Sequence, residues 1–497
     1  MVIAMKNCIR SIKTESNIYK MRIILFLLSF VLPYSCAINP VTGKRDFVLM
    51  SEEEEMTMGQ EADPDIIAEF GLYEDAKIQV FIDEKGREMG KISHRPNLNY
   101  TFRILDSPVV NAFALPGGYV YFTRGILAHF NNEAELAGVL GHEIGHITAR
   151  HSVKQYSSQL AVQLGLAIGG AVSPKFEQFS DIASMSLGLL FLKNSREHES
   201  QSDELGVEYS TKIGYDAHEM ANFFNTIHRL GESSGGGEIP NFLSTHPNPL
   251  NRFENVNDLA SRWQSDLDAN QLKINRDNYL SLIENMVYGE DPRQGFVEGN
   301  IFYHPNLKFQ FNFPEGWKLE NLASQVNIQD KEGDALVMLS IADGKTIQEA
   351  KSELIKNFSL KIVNEKKERI NGISSESVLT TYSEPENNLM LSIYISFFEY
   401  ENNVYQFIAL SEEKNFPGFK QSFEVVFRNF KPLTDTQKLN VKPKRLKIRT
   451  AGTSDVLSAH LTQWNVDKKF WEELAILNGL KLEDRIESGT KLKIFGE

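Results

Sequence analysis

Cysteine is almost missing from this chain. The two that occur, Cys8 and Cys36, both lie near the N-terminus, so neither a disulfide framework nor a thiolate metal site can form in the body of the protein. Histidine and carboxylate are then the realistic ligands for any ion bound there. A basic excess is missing too. Lys and Arg number 52 against 66 Asp and Glu, a net charge of −14, and no basic stripe stands out, which excludes general nucleic-acid binding. Long hydrophobic runs are scarce, yet 41% of the 497 residues are hydrophobic, enough for ordinary cores in two or three domains.

What is present is organised around Leu140-Gly141-His142-Glu143-Ile144-Gly145-His146, which carries the pattern H-E-x-x-H. Leu136, Val139, Leu140 and Ile144 recur at helical spacing behind an Asn132 and Glu135 cap pair, so the motif is expected on a helix. Side chains four apart share one helical face, and the imidazoles of His142 and His146 can converge on one tetrahedral ion. Glu143 then stands where a carboxylate takes a proton from water and passes it to a leaving amine. The pairs His198-Glu199 and His218-Glu219 lack the later histidine and do not repeat the pattern.

A two-histidine site needs a further protein ligand. Arg196-Glu197-His198-Glu199-Ser200-Gln201-Ser202-Asp203 offers Glu199, with Asp203 four residues on to accept the outer N–H of a ligand histidine. Taken alone, such an acidic run reads as a solvated helix face; the upstream motif gives it the second reading.

The match extends to Asn111-Ala112-Phe113-Ala114-Leu115-Pro116-Gly117-Gly118, Thr123-Arg124-Gly125, Leu136-Ala137-Gly138, Arg150-His151, Gly206, Gly214-Tyr215-Asp216 and Ser244-Thr245-His246-Pro247. In that order, from about Ile38 to about Arg252, these residues resemble metallopeptidase family forty-eight, the relatives of HtpX, Oma and the CaaX prenyl proteases, and within it the BepA-like periplasmic lipoproteins. The resemblance implies a mainly helical minigluzincin domain with a small substrate-edge sheet. It implies one zinc ion held by His142, His146 and Glu199, with Glu143 as catalytic base. It also suggests a role for His246, which can donate to a tetrahedral oxyanion or swing in as a fourth zinc ligand that silences the site. A capped turn before a helix near residues 249–259 is the plain alternative. Arg252 is a second candidate for the same electrostatic work.

Along the chain, Arg22 opens a short apolar run ending near Ser35-Cys36, which reads as a signal peptide over residues 1–36. Cys36 would be lipid-modified, although Pro33 and Tyr34 depart from the usual lipoprotein pattern and Met21 makes a more natural start than Met1. Residues 37–75 read as a turn-rich tether and a helix whose acidic start, Glu52 to Glu55, is solvated. The peptidase domain is expected at 76–265, with a helix at 76–92 and a strand at 100–105. A further strand over 109–122, broken by Pro116-Gly117-Gly118, is the substrate edge, with Asn111, Ala112, Phe113 and Ala114 as binding residues. Apolar stretches at 160–172 and 182–192 read as amphipathic or core helices over the cleft, and the Gly-rich loop at 231–238 would let His246 move.

A helical connector follows at 266–299. Residues 300–432 read as an antiparallel α+β accessory domain weakly similar to PsbP-like or Mog-like folds, with strands at 336–341, 377–382, 389–400 and 404–410 and a helix at 346–358. A linker, 433–445, leads to a module at 446–497 that resembles a diverged LysM of βααβ form; such modules typically hold N-acetylglucosamine polymers. The fold class is thus multidomain α+β. The expected protein is an anchored zinc endopeptidase on the periplasmic face of a bacterial membrane, an outer-membrane lipoprotein that cuts misfolded or stalled envelope proteins. Its expected partners are those unfolded or misassembled proteins, the membrane through the lipid anchor, and peptidoglycan or an outer-membrane assembly complex; nucleic acid is excluded. Two alternatives of other classes stand beside it, a chaperone or assembly factor with a latent protease and a peptidoglycan-binding lipoprotein.

Overall fold

The computed structural model describes residues 36–168, 194–233, 241–247, 249–384 and 389–496. The expected signal peptide lies outside the described residues, as do the apolar stretch at 182–192, the end of that at 160–172 and most of the Gly-rich loop. The described residues open with a hairpin, β1 (Cys36–Ile38) against β2 (Arg45–Phe47). Asn39 closes its turn by accepting from the backbone of Val41 and Thr42, while its amide donates to Asp46 and to the carbonyl of Ala149. Lys154 pairs with Asp46 at 2.8 Å, so this hairpin is stitched to the body behind it.

Helix α1 (Glu52–Phe70) begins with a reciprocal cap, Ser51 Oγ accepting from the Glu54 amide and the Glu54 carboxylate accepting from the Ser51 amide. Its acidic start is not uniformly solvated, as the sequence suggested. Glu55 is buried, because Arg95 and Arg150 donate to it at 2.7 and 2.9 Å. Helix α2 (Ala76–Ile92), capped by Asp75, packs on a sheet of β3 (Thr101–Leu105), β4 (Ala112–Leu115) and β5 (Tyr119–Thr123). The order β3-β5-β4 leaves β4 at the edge. The β4-β5 turn needs glycine: a Cβ on Gly117 would stand 2.8 Å from Glu55 O and one on Gly118 2.7 Å from Asn99 O.

After the short α3 (Arg124–His129), the motif lies on α4 (Glu133–Thr148), every residue of which is buried. Asn132 Oδ1 accepts from the Glu135 amide and the Glu135 carboxylate accepts from the Asn131 amide, one residue displaced from a standard capping box. Helices α5 (His151–Ile168), α6 (Arg196–Lys212), α7 (His218–Ser233), α8 (Asn241–Thr245), α9 (Pro249–Trp263) and α10 (Arg276–Ile283) surround it. Helices α4 and α6 cross at Gly141 and Gly206, where a Cβ on Gly141 would lie 3.0 Å from the Gly206 backbone. That close approach sets the first turn of α6 against the motif.

The second half is a seven-stranded antiparallel sheet, ordered β12-β13-β14-β15-β11-β10-β9, beside a four-stranded one, β16-β8-β7-β6. Its strands are β6 (Phe296–Glu298), β7 (Ile301–His304), β8 (Phe309–Asn312), β9 (Lys318–Asn321), β10 (Gln325–Gln329), β11 (Ala335–Ile341), β12 (Lys361–Ile370), β13 (Ile373–Glu384), β14 (Leu389–Tyr400), β15 (Asn403–Glu412) and β16 (Lys431–Pro432). Helix α11 (Ile347–Asn357) covers a core of Val378, Ile395 and Phe397, and α12 (Phe416–Arg428) covers a separate one built from Phe302, Phe309, Phe311 and Phe407. The last segment runs β17 (Arg445–Thr450), α13 (Leu457–Gln463), α14 (Trp471–Leu477) and β18 (Lys491–Gly496), with β17 antiparallel to β18.

That segment does not hang free. Leu446, Leu457, Leu477 and Leu492 belong to the same apolar core as Phe130, Leu136 and Leu140, and the Leu446 backbone bonds to Asn285 and Met286. Lys493 is wholly buried, and its Nζ caps the end of α3, donating at 3.0 Å to both Ala128 O and Phe130 O. Lys493→Met keeps the volume and strands two buried carbonyls. It should cost about 1–3 kcal/mol of stability in denaturant unfolding of the full chain, while the exposed Lys481→Met stays near zero.

Candidate metal centre

Four elements converge. Helix α4 supplies His142, Glu143 and His146; α6 supplies Glu199 and Asp203; His246 follows α8, and Arg252 lies on α9. His142, His146, Glu199 and His246 each present one donor atom within 4.8 Å of all the others, and all four are buried. His142 Nε2 lies 3.0 Å from His146 Nε2 and 3.2 Å from His246 Nδ1, which in turn stands 3.0 Å from Glu199 Oε1. The set of three imidazoles and one carboxylate suits a borderline ion such as zinc.

Asp203 Oδ1 is 3.0 Å from His142 Nδ1, the outer nitrogen of that ring. Arg252 grips the same carboxylate with two bonds, Nη2 to Oδ1 at 2.6 Å and Nε to Oδ2 at 2.9 Å, and its Nη1 reaches Glu199 Oε2 at 3.0 Å. Arg252 Nη2 also lies 3.3 Å from His142 Nδ1, but a guanidinium only donates, so the bond available to a protonated Nδ1 is the one to Asp203. The guanidinium stacks over Phe224 at 4.0 Å.

Burial pushes His142 down to about 3 against the pull of Asp203, leaving the ring neutral with a lone pair to offer. Burial acts upward on Glu199, yet His246 and Arg252 beside it hold its carboxyl well below the ordinary range. For His246 burial acts downward, and the carboxylates of Glu199 and Glu143 outweigh it and raise the ring. Glu143 is raised because burial dominates. Its Oε1 has no hydrogen-bond partner among the described residues, and His246 Nε2 is 3.7 Å away. A buried carboxylate atom without a partner, aimed into a ring of donors, fits a site built around a further occupant.

Ala112, Phe113 and Ala114 lie on β4, paired with Phe122, Tyr121 and Val120 of β5, so one side of β4 stays unpaired in its sheet. A small cavity lined by Ala114, Leu115, Pro116, His146 and Val153 joins that strand to the cluster. Asn111 precedes the strand; its side-chain Oδ1 is buried without a partner among the described residues. Helix α8 is tied to the same edge, the Phe242 amide donating to Val110 O at 3.1 Å while the Phe242 ring stacks on His246 at 4.6 Å. Sequence reasoning missed this clamp and also the surroundings of His146, where His151 Nδ1 lies 3.0 Å from His146 Nδ1. The Arg150-His151 pair so soon after the motif was the available signal.

Comparison with known proteins agrees with this geometry. A model of peptidase family M48 matches residues 77–260. Mitochondrial metalloendopeptidase OMA1 of Arabidopsis thaliana is 30% identical over 181 residues, covering 36% of this chain and 36% of that protein. OMA1 of Schizosaccharomyces pombe is 28% identical over 221 residues, 44% of this chain and 64% of its own. A beta-barrel assembly-enhancing protease of Yersinia pestis is 26% identical over 235 residues, 45% and 48%. The chain therefore spans 36% to 64% of the length of these relatives. A solved cyanobacterial PsbP structure from Synechocystis matches 27% of this chain and 93% of its own at 13% identity and a TM-score of 0.23, too low to carry weight. No helix among the described residues is long and apolar enough to cross a membrane. The segment 77–260, with its four-donor cluster, belongs to peptidase family M48.

Proposed function

We propose that this chain is a zinc-dependent endopeptidase of the bacterial cell envelope that hydrolyses peptide bonds in misfolded or stalled envelope proteins. The observation that carries the reading is the convergence of His142, His146 and Glu199 beside Glu143, whose Oε1 has no hydrogen-bond partner among the described residues. Those three residues would hold the ion, with Asp203 fixing the tautomer of His142. A bound zinc ion supplies Lewis acidity, polarising a carbonyl and acidifying water. Glu143, its affinity for protons raised by burial, takes the proton of the attacking water and delivers it to the departing nitrogen. The free side of β4 pairs with an extended substrate through main-chain hydrogen bonds, a mode that accepts varied side chains and suits unfolded segments. Anchoring through a lipid on Cys36, on the periplasmic face of the outer membrane, completes the reading. Glu143→Gln should lower cleavage of an unfolded test protein by about 10²–10⁴-fold at equal measured zinc content. Equal cutting by the two proteins would remove Glu143 from the reaction.

A second reading, a latent protease serving as a chaperone or assembly factor, is favoured by one observation: His246 Nδ1 stands among the ligand atoms, 3.0 Å from Glu199 and 3.2 Å from His142. There it would act as a fourth ligand that fills the position water needs. The two roles of His246 separate in one variant. If it silences the site, His246→Ala retains zinc and cuts faster than wild type; if its Nε2 serves the oxyanion, kcat falls by about 10²–10³-fold with zinc retained. Unchanged turnover and zinc affinity would rule out both.

A further inference from the structure

The second imidazole of the motif also has an outer nitrogen, and no carboxylate among the described residues is hydrogen-bonded to it. Instead His146 Nδ1 lies 3.0 Å from His151 Nδ1, and His151 Nε2 lies 2.9 Å from Gln201 Oε1. An amide oxygen only accepts, so His151 Nε2 carries the proton of a neutral ring and His151 Nδ1 presents a lone pair. That lone pair takes a donor, and His146 Nδ1 at 3.0 Å stands nearer to it than the Ser202 hydroxyl at 3.3 Å. A His146 ring protonated at Nδ1 has its own lone pair at Nε2, the atom that lies among the donors of the cluster.

The backbone is arranged to make this meeting. Between α4 and α5 the chain turns at Arg150, which adopts φ 56° although it is not glycine, a conformation that costs an L-residue about 1–2 kcal/mol. Its guanidinium is fastened to Glu55 at 2.9 Å and to Met50 O at 3.0 Å, which holds the turn. The reversal places His151, the fully buried first residue of α5, against His146. His198 stacks on the other ring at 4.2 Å and 12°, fixing the plane in which His151 aims its nitrogens.

We propose that His151 is a positioning residue for the metal: a one-way chain from His146 Nδ1–H to His151 and on to Gln201 holds His146 in its ligating tautomer, as Asp203 does for His142. The proposal rests on the reading of the cluster as a zinc site. It assigns different partners to the two motif histidines, a carboxylate shared with Arg252 for one and a neutral imidazole for the other.

The test is zinc affinity of the purified full chain, read by competition with a chromophoric chelator, with thermal unfolding of the metal-free variants as the check on folding. His142→Ala serves as the control that removes the site. His151→Leu should weaken zinc binding about 10- to 100-fold. His151→Asn, whose Oδ1 can stand in for the ring Nδ1, should recover affinity toward the wild-type value. Gln201→Leu should weaken binding in the same direction, and Gln201→Glu, which keeps an acceptor, should not. A folded His151→Leu protein that binds zinc as tightly as wild type overturns the relay and leaves the peptidase reading standing. Should His151→Leu not fold, the half-buried Gln201 decides, and unchanged affinity in Gln201→Leu overturns the relay. If wild type binds no zinc, or His142→Ala binds it equally well, the site reading falls and the relay with it.

Discussion

Removing a carboxylate or a cation from water costs several kcal/mol unless opposite charge replaces the lost solvent, and helix α4 places His142, Glu143 and His146 where solvent does not reach. The rest of the site is arranged around that cost. Glu199 is offset by His246 and by Arg252, and Asp203 by a two-bonded Arg252 and by His142. Glu143 alone of the three cluster carboxylates receives no direct hydrogen bond at Oε1 among the described residues, and its proton affinity rises accordingly. The desolvation that direct bonds offset at Glu199 and Asp203 is offset at Glu143 only by charge at a distance, His246 Nε2 standing 3.7 Å away, so burial dominates there.

Helix α4 has no solvated face along which to slide, and buried basic side chains fix both of its ends. Beyond its C-terminus, Arg150 and Arg95 share Glu55, a bridge from the α4–α5 turn to the first turn of α1. Ahead of its N-terminus, Lys493 holds the carbonyls of Ala128 and Phe130, and Arg276 donates to Asn131 O and Lys491 O. Deleting one partner of a buried ion pair such as Arg150–Glu55 typically costs about 3–5 kcal/mol, far more than an exposed pair is worth. Residues distant in sequence, from Glu55 to Lys493, thus hold the motif in register, and the C-terminal segment shares the core of the metal-binding one.

Much of this was legible where one periodicity governed. Helix α2 and strand β14 fall on the expected bounds because their apolar spacing is regular and caps or turns close them. Among the cluster residues, His142 and His146 stood out through their H-E-x-x-H spacing, and Glu199 through the upstream motif, since its acidic run alone reads as a solvated helix face. What escaped had no local signature. Strand β12 carries Glu365-Lys366-Lys367-Glu368-Arg369 with nearly every side chain exposed, so no alternation marks it; its partner β13 holds it in the sheet. Glu55 looked like one more solvated acid beside Glu52, Glu53 and Glu54, because its two arginines come from positions 40 and 95 residues away. Arg252 and His151 were visible in the sequence, the first as a candidate for oxyanion work and the second in the Arg150-His151 pair, but the partners they meet, Asp203 and His146, come through tertiary packing.

The position of α8 joins the two halves of the site. Asn111 O is taken by Thr123 of β5, so strand alternation turns the carbonyl of Val110 to the outer side, and there the Phe242 amide holds it. Phe242 also stacks on His246, and His246 bonds back to Phe242 O through its own amide at 2.8 Å. A peptide strand that ran along that outer edge as far as Val110 would need the carbonyl that α8 now uses. At Val110 such a strand and the Phe242 amide would compete for one carbonyl, and the Phe242 ring is the one against which His246 is packed. The same imidazole that stands 3.0 Å from Glu199 through Nδ1 stands 3.7 Å from Glu143 through Nε2, so a displacement of α8 changes the surroundings of both carboxylates together.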